Sequence, residues 1–340
     1  MNIAIIRLSA LGDVVVSAVF LPFIKEHYPE ARIHWFIDEA FAPLLENCPY
    51  IDVLHALPYK KTLRSKNPFA IGKFYKNLRH LGLFDLIIDM QGLLKSALIG
   101  LFLAKKSPKR FVGFDARSIR EPIASLFYTH KVAIPYQEHI LKRNQRVLQE
   151  GLSVLYPPQT WEQTLNERHL AFFCPPITQE LGDKPCVLFV LESSKPTKTY
   201  PLDRFCELGL LLKDCNLGVA ILWHAHPQNA QKLRQTLSPH LPTILLPRMD
   251  LEQVKTLVSL VSVVVGGDTG IVHLAWALKT PSVTLYGNTP PKRFSLEGAH
   301  HISLCGNPQA NYHKKDFSIQ NIPPLAIKEA ILQVLERSSC

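Results

Sequence analysis

A chain of 340 residues with 47% hydrophobic content exceeds one typical domain and has apolar mass for two cores. Its seven cysteines are scattered without a C-x-x-C pair, which argues against a disulfide framework or a cysteine-held zinc. The net charge of +10 is uneven: residues 1–150 carry 21 basic and 13 acidic side chains, the remainder 17 and 15, so the first half points to a polyanionic partner.

Met1 to Arg7 lacks the basic start and cleavage site of a signal peptide. Ile3–Ile6 reads as a first strand, and Val14 to Glu26 as the helix after it. The loop between them, Arg7-Leu8-Ser9-Ala10-Leu11-Gly12-Asp13, has neither the G-x-G-x-x-G fingerprint nor the P-loop pattern. Asp13 has two readings here: a helix N-cap, or a carboxylate at a strand end that takes a proton from a hydroxyl. Arg32–Ile37 is the second strand, and a basic stretch follows at Lys60, Lys61, Arg64 and Lys66. Leu86–Met90 reads as a buried strand, with Gln91-Gly92-Leu93-Leu94-Lys95-Ser96 opening a helix. The longest apolar run, Ala97 to Ala104, falls far short of the roughly 18 residues a membrane span needs. A second basic cluster follows at Lys105 to Arg110. Neither cluster interleaves aromatics in the RNA-binding manner, so a membrane surface or an anionic glycolipid fits better than nucleic acid; a solvated face is the alternative. A cytoplasmic protein with reduced thiols is expected.

Pro157-Pro158 and Pro175-Pro176 bracket a short polar segment that reads as a linker. The expected domains are 1–160 and 186–320, joined by 161–185, with a closing stretch at 321–340. After the linker the alternation resumes: strands at Val187–Leu191, Val219–Trp223, Thr243–Leu246, Val263–Val265 and Ser282–Tyr286, and helices at Leu202–Asp214, Gln228–Leu237 and Leu251–Leu260. An amphipathic helix at Ile327–Glu336 is expected to pack back on the N-terminal domain. Strands alternating with helices imply an α/β protein of two Rossmann-like halves with parallel sheets. Sites belong at the C-terminal strand ends, in a cleft between the halves.

The most informative stretch is Val263-Val264-Val265-Gly266-Gly267-Asp268-Thr269-Gly270-Ile271-Val272-His273. A strand turning sharply into a helix leaves the helix's first N–H groups unpaired, and with the dipole they suit a phosphate. The glycines permit a tight turn and close approach to a ligand; the plainer reading is a strand-to-helix turn with Asp268 as N-cap. Glu192-Ser193-Ser194-Lys195-Pro196-Thr197-Lys198 puts hydroxyls and lysines in a βα loop, a set suited to oxyanions or simply to solvent. His224-Ala225-His226 lacks a nearby third ligand, so no metal site is expected. His273, one turn into the helix, either touches a ligand or packs.

Taken in order, these segments resemble the lipopolysaccharide heptosyltransferases, glycosyltransferase family 9, over nearly the whole chain. Gly12-Asp13 matches the family's catalytic loop. Trp35 to Ala42, Asp89 to Ala97 and Arg120 to Tyr128 are similar to type I members rather than type II. Asp268-Thr269-Gly270-x-x-His273-Leu274-Ala275 matches the nucleotide-sugar signature.

The resemblance implies the GT-B architecture and inverting transfer of L-glycero-D-manno-heptose from ADP-heptose to Kdo of Kdo2-lipid A, with Asp13 as general base. It implies donor contacts from Ser193, Ser194, Lys198, Met249, Asp268, Thr269, Gly270 and His273, and no cofactor or divalent metal. It makes Lys60, Lys61, Arg64, Lys95 and Arg120 candidates for the acceptor's charges, at the anionic cytoplasmic face of the inner membrane. One departure stands out: where relatives carry a ribose-binding glutamate three residues after the strand-end tryptophan, this chain has His226. The alternatives are a type II or III member, a Rossmann oxidoreductase or epimerase, which the missing G-x-G-x-x-G disfavours, and a non-catalytic basic protein.

Overall fold

The computed structural model describes residues 1–104, 110–153 and 158–338. Pro157 and Lys105 to Lys109 of the second basic cluster lie outside the described residues. The chain divides into two units, Met1–Phe173 and Cys174–Cys340.

The first unit runs β1 (Asn2–Ile6), α1 (Leu11–Ala18), α2 (Leu21–His27), β2 (Arg32–Asp38), β3 (Val53–Leu57), α3 (Tyr59–Arg64), α4 (Pro68–Leu78), β4 (Leu86–Asp89), α5 (Leu94–Ala104), β5 (Arg110–Phe114), β6 (His130–Val132), α6 (Ile140–Leu152) and α7 (Pro158–Asn166). Its six strands pair in the order β3-β2-β1-β4-β5-β6, all parallel. The central strands are near-continuous apolar runs because helices cover both faces: Ile3 to Ile6, Ile87 and Ile88 are wholly buried. The expected single helix over 14–26 is two. Pro22 offers no N–H and crowds the carbonyl four residues back, so the chain breaks and restarts with Pro22 in the first turn of α2.

The second unit runs β7 (Cys186–Val190), α8 (Leu202–Leu211), β8 (Gly218–Leu222), α9 (Pro227–Leu237), β9 (Thr243–Leu245), α10 (Leu251–Leu260), β10 (Val263–Gly267), α11 (Gly270–Ala277), β11 (Ser282–Tyr286), α12 (Pro291–Phe294), β12 (His301–Cys305) and α13 (Pro324–Ser338). Its sheet, β12-β11-β10-β7-β8-β9, is also parallel throughout. Each sheet therefore follows the doubly wound order and reverses direction once, between β1 and β4 and between β7 and β10. One expectation about the joint differs from what is observed. Residues at the start of the expected linker belong to the first core: Trp161 is buried against Phe20 and Phe23. The closing helix α13 packs on α8 and on β11 and β12, within the second unit, through Ile327, Ile331 and Val334.

On one face of the first sheet His34 of β2 and His55 of β3 meet, Nδ1 to Nε2, at 3.1 Å. His55 stacks on Phe36 at 4.3 Å, and Phe84 closes edge-on over His34 and Phe36. Burial, then the His34 charge, lowers the His55 pKa to about 4. A histidine held neutral in the fold contributes stability that is full above its unfolded pKa near 6.5. That contribution is lost as pH falls toward 4, where the unfolded chain has already taken the proton. Thermal melting between pH 7.5 and 4 is expected to show a steeper acid loss for wild type than for His55→Phe; parallel curves would contradict this.

Candidate active site

In a doubly wound sheet the connections on either side of the reversal leave on opposite faces, opening a crevice at the strand ends. In the first unit that point is flanked by Arg7 to Asp13 after β1 and by Met90 to Lys95 after β4.

Arg7 is 5% exposed, and its guanidinium spans both loops. Nη1 donates to the Met90 carbonyl, and Nη2 lies 2.9 Å from Asp13 Oδ1. Asp13 is not the N-cap. Ala10 holds that position, and Asp13, at the third helical residue, accepts from the Ala10 N–H at 3.2 Å through Oδ2. Its side chain stays 37% exposed, so a carboxylate oriented at two points still meets solvent. Gln91 fastens the loops together, accepting from Leu8 N at 2.9 Å and donating to Ser9 Oγ at 3.4 Å. Lys95 Nζ donates to the same Ser9 hydroxyl at 2.8 Å. Beneath them the buried Asp89 accepts from Gln91 N, Gly92 N and the Tyr128 hydroxyl at 2.8, 3.1 and 2.8 Å. Gly92 turns here with φ +65°, which a side chain would strain.

A cavity of about 410 Å³ opens beside this network, lined by Tyr59, Leu93, Leu94, Lys95, Leu98, Arg120 and Glu121. Two of the five expected acceptor cations, Lys95 and Arg120, share its wall. Burial, then the charge of Lys60, lowers the Lys95 pKa. Lys60, Lys61 and Arg64 are exposed along α3, which starts at the cavity-lining Tyr59, and Lys60 sits 4.5 Å over the Phe41 ring.

In the second unit the reversal lies between the loops after β7 and β10, which hold most of the expected donor residues. Asp268 is 5% exposed and is not a helix cap. Its Oδ2 accepts from Lys198 Nζ, and its Oδ1 lies 3.0 Å from His273 Nε2. Burial opposes the charge, but the His273 hydrogen bond and the Lys198 charge outweigh it and hold the carboxyl well below its usual range. Thr269 takes the N-cap of α11 with no side-chain hydrogen bond, so the first turn is uncapped. Thr269 Oγ1 and His273 Nδ1 are buried without a protein partner. Gly266 and Gly267 do not supply the turn expected of them, since both end β10. A Cβ on Gly267 would collide with the Lys198 carbonyl, so this glycine lets the lysine loop lie against the strand.

The remaining donor candidates divide. Ser193 Oγ is engaged locally with Lys195, and Ser194 is exposed. Met249 is half-buried in the loop before α10. His226 is exposed at the start of α9. A carboxylate does reach that turn, from the neighbouring strand end: Glu192 accepts from the backbone of His224, Ala225 and His226, the last at 2.9 Å. Burial opposes its charge, and those N–H groups hold its pKa below the usual range. Among the described residues no group of three His, Cys, Asp or Glu is placed to hold a metal ion.

The sequence model described as glycosyltransferase family 9 (heptosyltransferase) matches residues 71–325. Lipopolysaccharide heptosyltransferase 1 of Campylobacter coli is 31% identical, over 95% of this chain and 95% of its own. Its Escherichia coli K12 counterpart is 28% identical, over 92% and 95%. The structure of E. coli heptosyltransferase WaaC with ADP-2-deoxy-2-fluoro heptose superposes with TM-score 0.78 at 23% identity, covering 98% of this chain and 99% of that one.

Asp268→Asn keeps the side chain's shape but leaves the Lys198 ammonium without its counterion and His273 with a weaker hydrogen-bond acceptor. A loss of about 3 kcal/mol in the stability of the second unit is expected by urea unfolding. A loss below about 1 kcal/mol, the range of exposed pairs, would contradict a structural ion cluster here.

Proposed function

The chain belongs to glycosyltransferase family 9 and is a heptosyltransferase of lipopolysaccharide core biosynthesis, and from that premise we propose that it transfers heptose from ADP-heptose to a Kdo hydroxyl of Kdo2-lipid A with inversion. The observation that carries the donor half is the Lys198–Asp268–His273 cluster at the uncapped start of α11. The leaving group is a nucleoside diphosphate, whose developing charge needs preorganised donors. Lys198 has three protons and spends one on Asp268, leaving two for phosphate oxygens. In its imidazolium form His273 donates through both nitrogens, one to Asp268 and one to the diphosphate. The N–H groups of Gly270 and its successors complete the cradle. This set supplies positive charge without requiring a divalent cation.

Asp13 acts as general base. Arg7 and the Ala10 amide fix the carboxylate's direction, and its exposed edge takes the proton of the acceptor hydroxyl as oxygen attacks the anomeric carbon. The C–O bond to the diphosphate breaks as the new glycosidic bond forms, so a single displacement inverts the centre. Lys95 and Arg120, on the cavity wall, hold the acceptor's carboxylates and phosphates, assisted by Lys60, Lys61 and Arg64. His226 and the Glu192 carboxylate beside it stand at the turn where relatives place a ribose-binding acid. The enzyme works peripherally at the anionic cytoplasmic face of the inner membrane. No helix of the described residues is long and apolar enough to cross it.

Release of ADP from ADP-heptose is expected to depend on deacylated Kdo2-lipid A and to fall about 100-fold or more in Asp13→Asn. Arg7→Met should lower kcat by about tenfold through lost positioning while ADP affinity is kept. Release indifferent to acceptor, or unchanged in Asp13→Asn, would contradict the assignment.

A further inference from the structure

The short 3-10 turn Pro122–Phe127 follows directly on the cavity residues Arg120 and Glu121. Such a turn has three residues per revolution, so side chains three apart project to the same side. Here Ala124 and Ser125 are buried, whereas Ile123 is 61% and Leu126 73% exposed. Two large aliphatic side chains thus stand together in solvent on one face of a turn whose other face is packed on α5. Leu94, the first residue of α5 and part of the cavity wall, adds a third at 37%, and its backbone N–H is tied to Glu121 Oε2 at 2.8 Å. The rim of the same cavity continues through Tyr59 into α3, with Lys60, Lys61 and Arg64 exposed, and Arg120 is exposed beside the turn. The acid on this rim, Glu121, is held by that backbone hydrogen bond. Exposed aliphatic side chains and exposed cations about the rim of one cavity match the two layers of an anionic bilayer surface, apolar beneath and phosphate above.

We propose that the Pro122–Phe127 turn enters the interfacial layer of an anionic phospholipid bilayer through Ile123 and Leu126, with Lys60, Lys61, Arg64 and Arg120 on the surrounding phosphates. A cavity mouth held at the lipid surface receives a membrane-anchored acceptor without lifting it out of the leaflet; this consequence rests on the proposed acceptor. The cations supply long-range, salt-sensitive attraction, each worth about a fivefold change in partition at low salt, and the two aliphatic side chains supply a salt-resistant remainder.

The test is flotation of the full chain with vesicles of phosphatidylcholine containing phosphatidylglycerol, against phosphatidylcholine alone, at low and high salt. Wild type is expected on the anionic vesicles and weakened by salt. The double variant Ile123→Ser, Leu126→Ser is expected to lose about tenfold or more of this partition with its melting temperature unchanged. Its turnover of a deacylated, soluble acceptor should equal wild type, while turnover of acceptor embedded in anionic vesicles should fall. Equal flotation of the double variant and wild type would overturn the proposal. So would a wild-type dimer that the double variant dissolves, since the turn would then be covered by a second copy. If the wild type floats as described and the double variant does not, yet neither transfers heptose, the surface stands and the proposed reaction fails.

Discussion

Each parallel sheet reverses its strand order once, and the placement of every reactive side chain depends on that reversal. Between β1 and β4, and again between β7 and β10, successive connections leave on opposite faces of the sheet. Two loops diverge at each point and expose strand ends, backbone N–H groups and whatever side chains the loops carry. Arg7, Ser9, Asp13, Gln91 and Lys95 meet at the first. Lys198, Asp268, Thr269 and His273 meet at the second. Neither set is contiguous in sequence; both are products of topology.

The two points use a carboxylate in opposite ways. Asp268 is buried and shared between the Lys198 ammonium and the His273 imidazole, so its charge is spent inside the protein. Desolvating it costs free energy that only well-formed hydrogen bonds offset, and the close approach of the Lys198 loop permitted by Gly267 is what forms them. Its effect on a ligand is indirect: it orients an ammonium and an imidazole. Asp13 is oriented by a buried guanidinium yet remains open to solvent, and so is available for proton transfer.

Much of this was legible in the sequence, for stated physical reasons. The central strands were visible as apolar runs, and the Asp268–His273 turn stood out through its glycines. The outer strands β3, β5, β6 and β12 were not read: they sit toward sheet edges, carry polar residues such as His55, Arg110, His130 and Ser303, and lose the uniform apolar signal of a strand covered on both faces. Asp13 and Asp268 each admit an N-cap reading, because an acid at a helix start is locally indistinguishable from one that reaches across to another loop. Arg7, Gln91 and Glu192 lie in segments that the sequence singles out, but nothing local assigns them their partners. Their roles arise from contacts over 83, 83 and 34 positions of sequence, to Met90, Leu8 and His226, which no local pattern encodes. Trp161, read as linker, was claimed by the first core because an aromatic pair at Phe20 and Phe23 awaited it.

The claim at the centre of this account is a single displacement, in which a hydroxyl activated by Asp13 replaces a diphosphate held by Lys198 and His273. Nuclear magnetic resonance of the disaccharide linkage formed from ADP-heptose and deacylated Kdo2-lipid A reads it most directly. The account predicts a new glycosidic bond whose anomeric configuration is opposite to that of the donor. Retention of configuration would contradict it, because two successive displacements would then be required, with a carboxylate such as Asp13 bonding to the anomeric carbon instead of taking a proton.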